Sequence, residues 1–188
     1  MASSASTLLT VDDYRELPEV PPQYQLIEGK LHMSPSPNLY HQVISRNVLL
    51  LLANYLEKNP LGEVFSAPSD VHLTEYDVYQ PDLFYVSAAN AAILTEQGAS
   101  GPPDLIIEIL SPATERLDRE VKRKVYAQAG VAELWLVDPA AKAIHLFRLH
   151  SDASAPFASY ALPQSFASEL FPGLAISVAE IFKPSRLG

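Results

Sequence analysis

The sequence predicts a mixed α/β domain of the α+β kind, one sheet with long helices packed on it, and three observations predict it. Two stretches, after Ser36 and after Ser111, repeat apolar residues at helical spacing. Short β-type runs separated by turn residues occupy the rest. Neither an internal repeat nor a low-complexity segment breaks the order of hairpin, helix, several strands, helix, more strands. At 188 residues the chain suits one domain, since domains run roughly 100 to 200 residues. Residues 1–22 are set apart as an N-terminal extension and 23–188 as the single domain.

Taken in order, 1–22 reads as a frayed start with a short helix. "YQLIEGKLHMS" has apolar runs on either side of Glu28-Gly29, an acidic-Gly pair that favours a tight turn, giving strands at 24–27 and 30–34. Ser36 as cap and Pro37 at the first helical position then start a long helix carrying Val43, Ile44, Val48, Leu51, Leu52, Tyr55 and Leu56, which ends near Asn59-Pro60. A hairpin (62–66, 70–74) and a strand at 82–86 follow, then a connection with one helical turn. The strand at 104–111 leads through Ser111-Pro112 into a helix whose Leu117, Val121 and Val125 repeat every four residues, with Gly130 where a left-handed cap is wanted. Strands "AELWLVDP", "AIHLFRLH" and "FASYALP" form a meander, and the tail supplies a last strand and a short helix.

Composition narrows the function classes. With 48% hydrophobic and 19% charged residues the chain is globular rather than disordered. It has no cysteine, which excludes disulfides, thiolate zinc sites and thiol nucleophiles. The N-terminus lacks a basic region followed by a long apolar one, and the apolar run "VLLLLA" falls short of the roughly 18 residues of a membrane span. A soluble, unexported, cytoplasmic protein with no membrane partner is expected. The formal net charge of −9 opposes non-specific nucleic-acid binding, which rests on lysine and arginine neutralising phosphates.

The dinucleotide, P-loop, serine-hydrolase and zincin motifs are all absent, and the five histidines show no metal-ligand spacing. The informative residues are acidic. "QPDLFYV" and "PPDLIIEIL" each place an aspartate after a proline at the mouth of a strand, and the second sets Glu108 inside an apolar run. With period two, Asp104, Ile106, Glu108 and Leu110 share one face. A lone ionised carboxylate there would cost several kcal/mol, so it should be paired, protonated or metal-bound. On a wheel of about 100° per residue, Lys122 and Lys124 fall on opposite borders of the apolar stripe, and the wheel does not choose between them. Asp118 and Tyr126 lie four residues either side of Lys122. Asp82, Glu108 and a helix lysine would form a cluster of hard oxygen ligands suited to Mg²⁺ or Mn²⁺, with a cation beside it.

"DLIIEILSPATERLDREVKRKVYAQAGVAELWLVDP", with "YQLIEGKLHMSPSP", the following histidine and "QPDLFYV", resembles the bacterial Uma family of "putative restriction endonucleases", formerly a domain of unknown function, in the PD-(D/E)XK nuclease superfamily. The resemblance runs from about Tyr24 to Leu149. It implies a restriction-endonuclease-like core, a central mixed sheet flanked by helices, and a metal-dependent nuclease. It gives Asp82 the aspartate role and Glu108 the glutamate role, with the Ile109 carbonyl as a further metal ligand. Leu110 stands where the superfamily has lysine. The family's D-x-x-x-K-x-x-x-Y spacing instead matches Asp118, Lys122 and Tyr126, and so implies Lys122 rather than Lys124. Glu28 and His41 match positions commonly acidic and histidine in the family, which makes them accessory candidates.

The leading expectation is a Mg²⁺- or Mn²⁺-dependent endonuclease acting on nucleic acid, DNA before RNA. A rival from another class is a non-catalytic binding domain or homodimeric assembly domain that keeps the fold, favoured by the acidic charge and by residues 115–124 netting only +2. A third is a hydrolase of a small phosphorylated molecule.

Overall fold

The computed structural model describes residues 8–17, 24–33 and 37–185. The chain runs through α1 (Val11–Arg15), β1 (Tyr24–Ile27), β2 (Lys30–Met33), α2 (Leu39–Leu56), β3 (Gly62–Ser66), β4 (Asp70–Thr74), β5 (Asp77–Tyr79) and β6 (Leu83–Ser87). After a 3₁₀ turn (Ala88–Ile93) come β7 (Leu94–Thr95), β8 (Gly98–Ser100) and β9 (Leu105–Ile109). A π-helical stretch (Leu117–Lys122) runs into α3 (Arg123–Ala129), and then follow β10 (Glu133–Asp138), β11 (Ala143–Arg148), β12 (Ala158–Ala161), β13 (Ser165–Phe166), β14 (Ile176–Ser177) and α4 (Val178–Ile181).

The main sheet has the order β12-β11-β10-β9-β6-β3. It is mixed: β9 and β10 are parallel, joined by the π segment and α3 as a crossover, and the other neighbours are antiparallel. The expected α+β class, mixed central sheet and C-terminal meander are all present. A second sheet, β2-β1-β5-β4-β8-β7, was not anticipated. It absorbs the N-terminal hairpin, whose two-residue turn puts Glu28 and Gly29 both at positive φ. Residues 8–17, set apart by sequence, are bonded to this sheet: Leu9 N–H donates to Gly29 and Val11 N–H to Glu75.

Two expectations need correction. The runs 62–66 and 70–74 are strands but not a hairpin, since β3 pairs with β6 in the main sheet and β4 with β5 and β8 in the second. The real hairpin closes β4 to β5 through Glu75-Tyr76, a pair with neither glycine nor asparagine, held by Thr74 Oγ1 donating to Asp77 Oδ2 at 2.6 Å. The long helix starts later than expected. Asn38 caps it, its Oδ1 accepting from His41 N–H at 2.9 Å, while the expected cap Ser36 lies outside the described residues.

Each face of the main sheet has its own core. On one, Ile44, Val48, Leu52 and Leu56 of α2 pack on Leu105, Ile107 and Ile109 together with Trp135 and Phe171. On the other, Ile106 and Leu110 meet Val125 and Tyr126 of α3 and Val71 and Tyr79 of the second sheet. The alternation expected along β9 is therefore real. Among the described residues no helix is long and apolar enough to cross a membrane.

Candidate active site

β9 is buried along its whole length, Glu108 included at 3% exposure. By alternation Glu108 faces α3, and its partners come from there. Lys122 Nζ stands 3.0 Å from Glu108 Oε1 and Tyr126 OH donates to the same oxygen at 2.6 Å. Lys122 Nζ is also 3.0 Å from Asp118 Oδ1. Asp118 and Lys122 stand four residues apart, a spacing that puts both side chains on one face, and both are buried within the π-helical stretch. Lys124 lies beyond it on α3 and is exposed.

Asp82 immediately precedes β6. The antiparallel register pairs Leu83 with Ile107, and one further step sets Asp82 across from Glu108. Asp82 Oδ2 accepts from Ile109 N–H at 2.7 Å and lies 3.2 Å from His41 Nε2, so the first turns of α2 reach round the end of the sheet to the same spot. These groups line a cavity of about 440 Å³ with Gln25, Asn38, Gln80 and Thr114 on its walls.

Burial dominates the electrostatics. It pushes the Glu108 carboxyl up to about 7, with Lys122 opposing this and the Asp118 and Asp82 charges adding to it. Burial pulls the Lys122 ammonium down, but Glu108 and Asp118 more than offset that and hold it above its ordinary value. His41 behaves likewise: burial lowers it, and Asp82, the Ile109 backbone and Glu108 raise it further than burial lowers it. Burial also keeps the Tyr126 phenol far above its usual range. Strong perturbation by burial plus a named charge partner, inside a cavity, is the pattern of a functional site.

Among the described residues no group of three or more His, Asp or Glu side chains could by itself hold a metal ion. The donor set nevertheless fits a divalent cation completed by water. Both bonds to Glu108 fall on Oε1 and both to Asp82 on Oδ2, so Oε2 and Oδ1 are uncommitted among the described residues. Both carboxylates and Ile109 line the cavity.

Of the residues singled out by sequence, Asp82, Glu108, Ile109, His41, Asp118 and Lys122 surround the cavity, and Tyr126 bonds to Glu108 from behind. Two are placed elsewhere. Lys124 points away with the exposed side of α3, and Glu28 is exposed at the hairpin turn, its N–H donating to Asp77 Oδ1. The hairpin residue that does reach the cavity is Gln25, earlier on β1 and buried. Alternation with Leu26 and Ile27 gave no sign of it. Asn38 and Thr114 were also missed, being short polar residues in segments that read as caps and connections.

The family model described as "Uma2: Putative restriction endonuclease" matches residues 11–179. No protein of curated function matches the chain. Among solved structures, a nuclease described as putative and assigned to DUF820, from Anabaena variabilis, superposes with a TM-score of 0.78 at 19% identity, covering 93% of this chain and 97% of that one. That likeness establishes the nuclease-like fold, and the family match spans nearly the whole domain. The chain belongs to the Uma2 family of restriction-endonuclease-like proteins.

Proposed function

We propose that the chain is a metal-dependent nuclease that hydrolyses phosphodiester bonds, with DNA as substrate and Asp82, Glu108 and Lys122 as its catalytic residues. The observation that carries this reading is the convergence in a single cavity of Glu108 on β9, Asp82 just before the neighbouring β6, and one buried lysine. Asp82 Oδ1, Glu108 Oε2 and the Ile109 carbonyl would hold Mg²⁺ or Mn²⁺. When bound, such an ion supplies charge that activates water and offsets the phosphate. The protein's own role is positioning. Lys122 has three N–H donors, of which two face Glu108 and Asp118, and the third serves to orient the attacking water or a phosphate oxygen. Asp118 fixes the lysine, and Tyr126 fixes the glutamate. His41 anchors Asp82 from the opposite side. Water adds to phosphorus, the bond to the leaving oxygen breaks, and the water's proton ends on that oxygen.

Cleavage of plasmid and single-stranded DNA with Mg²⁺ or Mn²⁺ tests the assignment. Asp82→Asn and Glu108→Gln should each reduce the rate at least about 100-fold, as expected when a metal ligand is lost. Equal activity in wild type and variants would overturn it.

The net charge of −9 favours a second reading, a non-catalytic binding domain or homodimeric assembly domain built on the nuclease fold. Calorimetry with Mn²⁺ separates the two. Binding that vanishes in Asp82→Asn supports the nuclease, and no binding near millimolar metal supports its rival.

A further inference from the structure

We propose that Tyr79 is a positioning residue of the site: pinned by the buried Asp77, it holds the Tyr126 ring that in turn fixes Glu108. This role rests on the nuclease reading above and belongs to a residue outside the cavity.

Asp77 is a second buried carboxylate that the proposed chemistry leaves unused. It lies on β5, away from the cavity lining, and is 6% exposed. A charge so placed has to be hydrogen-bonded, and Asp77 accepts three times. Thr74 Oγ1 donates to Oδ2 at 2.6 Å, while Oδ1 accepts from Glu28 N–H at 2.9 Å and from Tyr79 OH at 3.2 Å. The first two donors belong to turns, and they tie the ends of the β4–β5 and β1–β2 hairpins to one carboxylate. The third comes from the core. Asp77 and Tyr79 stand two residues apart on a strand, which puts them on one face.

Tyr79 is fully buried, packed with Ile106 of β9 and with Val125 and Tyr126 of α3. A phenylalanine would fill the same apolar volume, so it is the hydroxyl that calls for a reason. Its bond to Asp77 fixes the angle of the ring, and that ring meets Tyr126 edge to face, with centroids 5.1 Å apart and planes at 69°. Tyr126 OH reaches Glu108 Oε1 at 2.6 Å, so a tilt of the Tyr126 ring carries its hydroxyl off the carboxylate. Burial, and after it the Asp77 charge, holds the Tyr79 phenol far above its usual range, which keeps it protonated and therefore a donor. Asp82, three residues further along the chain, has separate ties through Gln80, whose N–H donates to Gln25 Oε1 at 3.2 Å and whose Nε2 donates to Asp70 Oδ1 at 2.8 Å. The Tyr79 hydroxyl thus bears on Glu108.

The test uses the full chain at saturating Mn²⁺ with plasmid DNA, and reads kcat and KM for Tyr79→Phe, Tyr126→Phe, their double variant and Thr74→Val. Tyr79→Phe should lower kcat about ten-fold, the low end of what losing a residue behind a metal ligand costs, with KM for DNA unchanged. The double variant should be no slower than Tyr126→Phe alone, because Tyr79 then has no hydroxyl left to aim. Thr74→Val takes a different donor from the same carboxylate, and should lower the unfolding midpoint while leaving kcat unchanged. Wild-type kcat in Tyr79→Phe, losses that multiply in the double variant, or an equal loss of kcat in Thr74→Val each overturn the inference, and inactive Asp82→Asn alongside them leaves the nuclease reading intact. No cutting by the wild type, or cutting that survives Asp82→Asn, removes the nuclease reading and the inference with it.

Discussion

Glu108 Oε1 takes two donors at once, Lys122 Nζ at 3.0 Å and Tyr126 OH at 2.6 Å, and those bonds keep a carboxylate tolerable inside a strand that is otherwise core. Removing either donor has a distinct signature. Tyr126→Phe deletes a hydrogen bond to the charged form, so it should cost about 1–3 kcal/mol and push the Glu108 pKa above its value of about 7. Urea unfolding and NMR titration of the Glu108 carboxyl read these two effects. Lys122→Met leaves two buried carboxylates unpaired and should cost about 3–5 kcal/mol. Adding Glu108→Gln to it should recover much of that loss, and strictly additive costs would show that the pair is not coupled. The glutamate was legible in the sequence because one acid stood alone in an apolar run. Its lysine was not, because the buried face of that helix runs through Asp118, Lys122, Val125 and Tyr126, and a wheel set on the apolar residues Leu117, Val121 and Val125 is centred beside it. Lys122 was reached only through the family's spacing.

At the level of elements, the hairpin β1–β2, the strand β9 and the meander β10–β12 follow from local pattern: alternation, turn residues and a closing Asp-Pro. The second sheet does not. Its pieces β5, β7 and β8 are two or three residues long, too short for a period to show, and β4–β5 turns without glycine. What holds these pieces together is close backbone approach. At Gly98, with φ +142°, a Cβ would fall 2.0 Å from the Asp70 carbonyl oxygen, inside the β4–β8 pairing. At Gly130, the left-handed cap of α3 with φ +96°, the nearest atom to a Cβ is Pro102 Cγ at 3.8 Å, an ordinary contact. The two alanine variants should therefore differ in kind. Gly130→Ala costs only the backbone conformation, about 1 kcal/mol, and Gly130→Asn should cost less. Gly98→Ala must push β4 and β8 apart and should cost more than that. Thermal unfolding ranks them, and the reverse order would contradict the sheet pairing.

Across the whole molecule the net charge of −9 and the acidic site act in the same sense, making the fold more comfortable with its protons on. Glu108 ionises at its ordinary value of 4.5 when unfolded but at about 7 when folded. Between those values the folded chain binds the proton that the unfolded chain has released, so stability falls as pH rises through that window. His41 has the same sign. Its pKa is raised by Asp82 despite burial, so its contribution is present below 6.5 and fades as pH rises through the folded value. Lys122, also raised, is lost only when alkaline pH passes its ordinary value of 10.5 and then its folded one. From mildly acidic to neutral pH, Glu108 and His41 thus make the slope negative, against the usual rise from carboxylates that fold with lowered pKa. Glu108→Gln removes the larger share of this site's slope. Denaturation midpoints of wild type and variant, taken at about pH 5 and about pH 8, should show the variant gaining on the wild type as pH rises, because glutamine has no proton to lose. Parallel profiles would mean that Glu108 ionises alike in the folded and unfolded chain, and that its bonds to Lys122 and Tyr126 offset its burial.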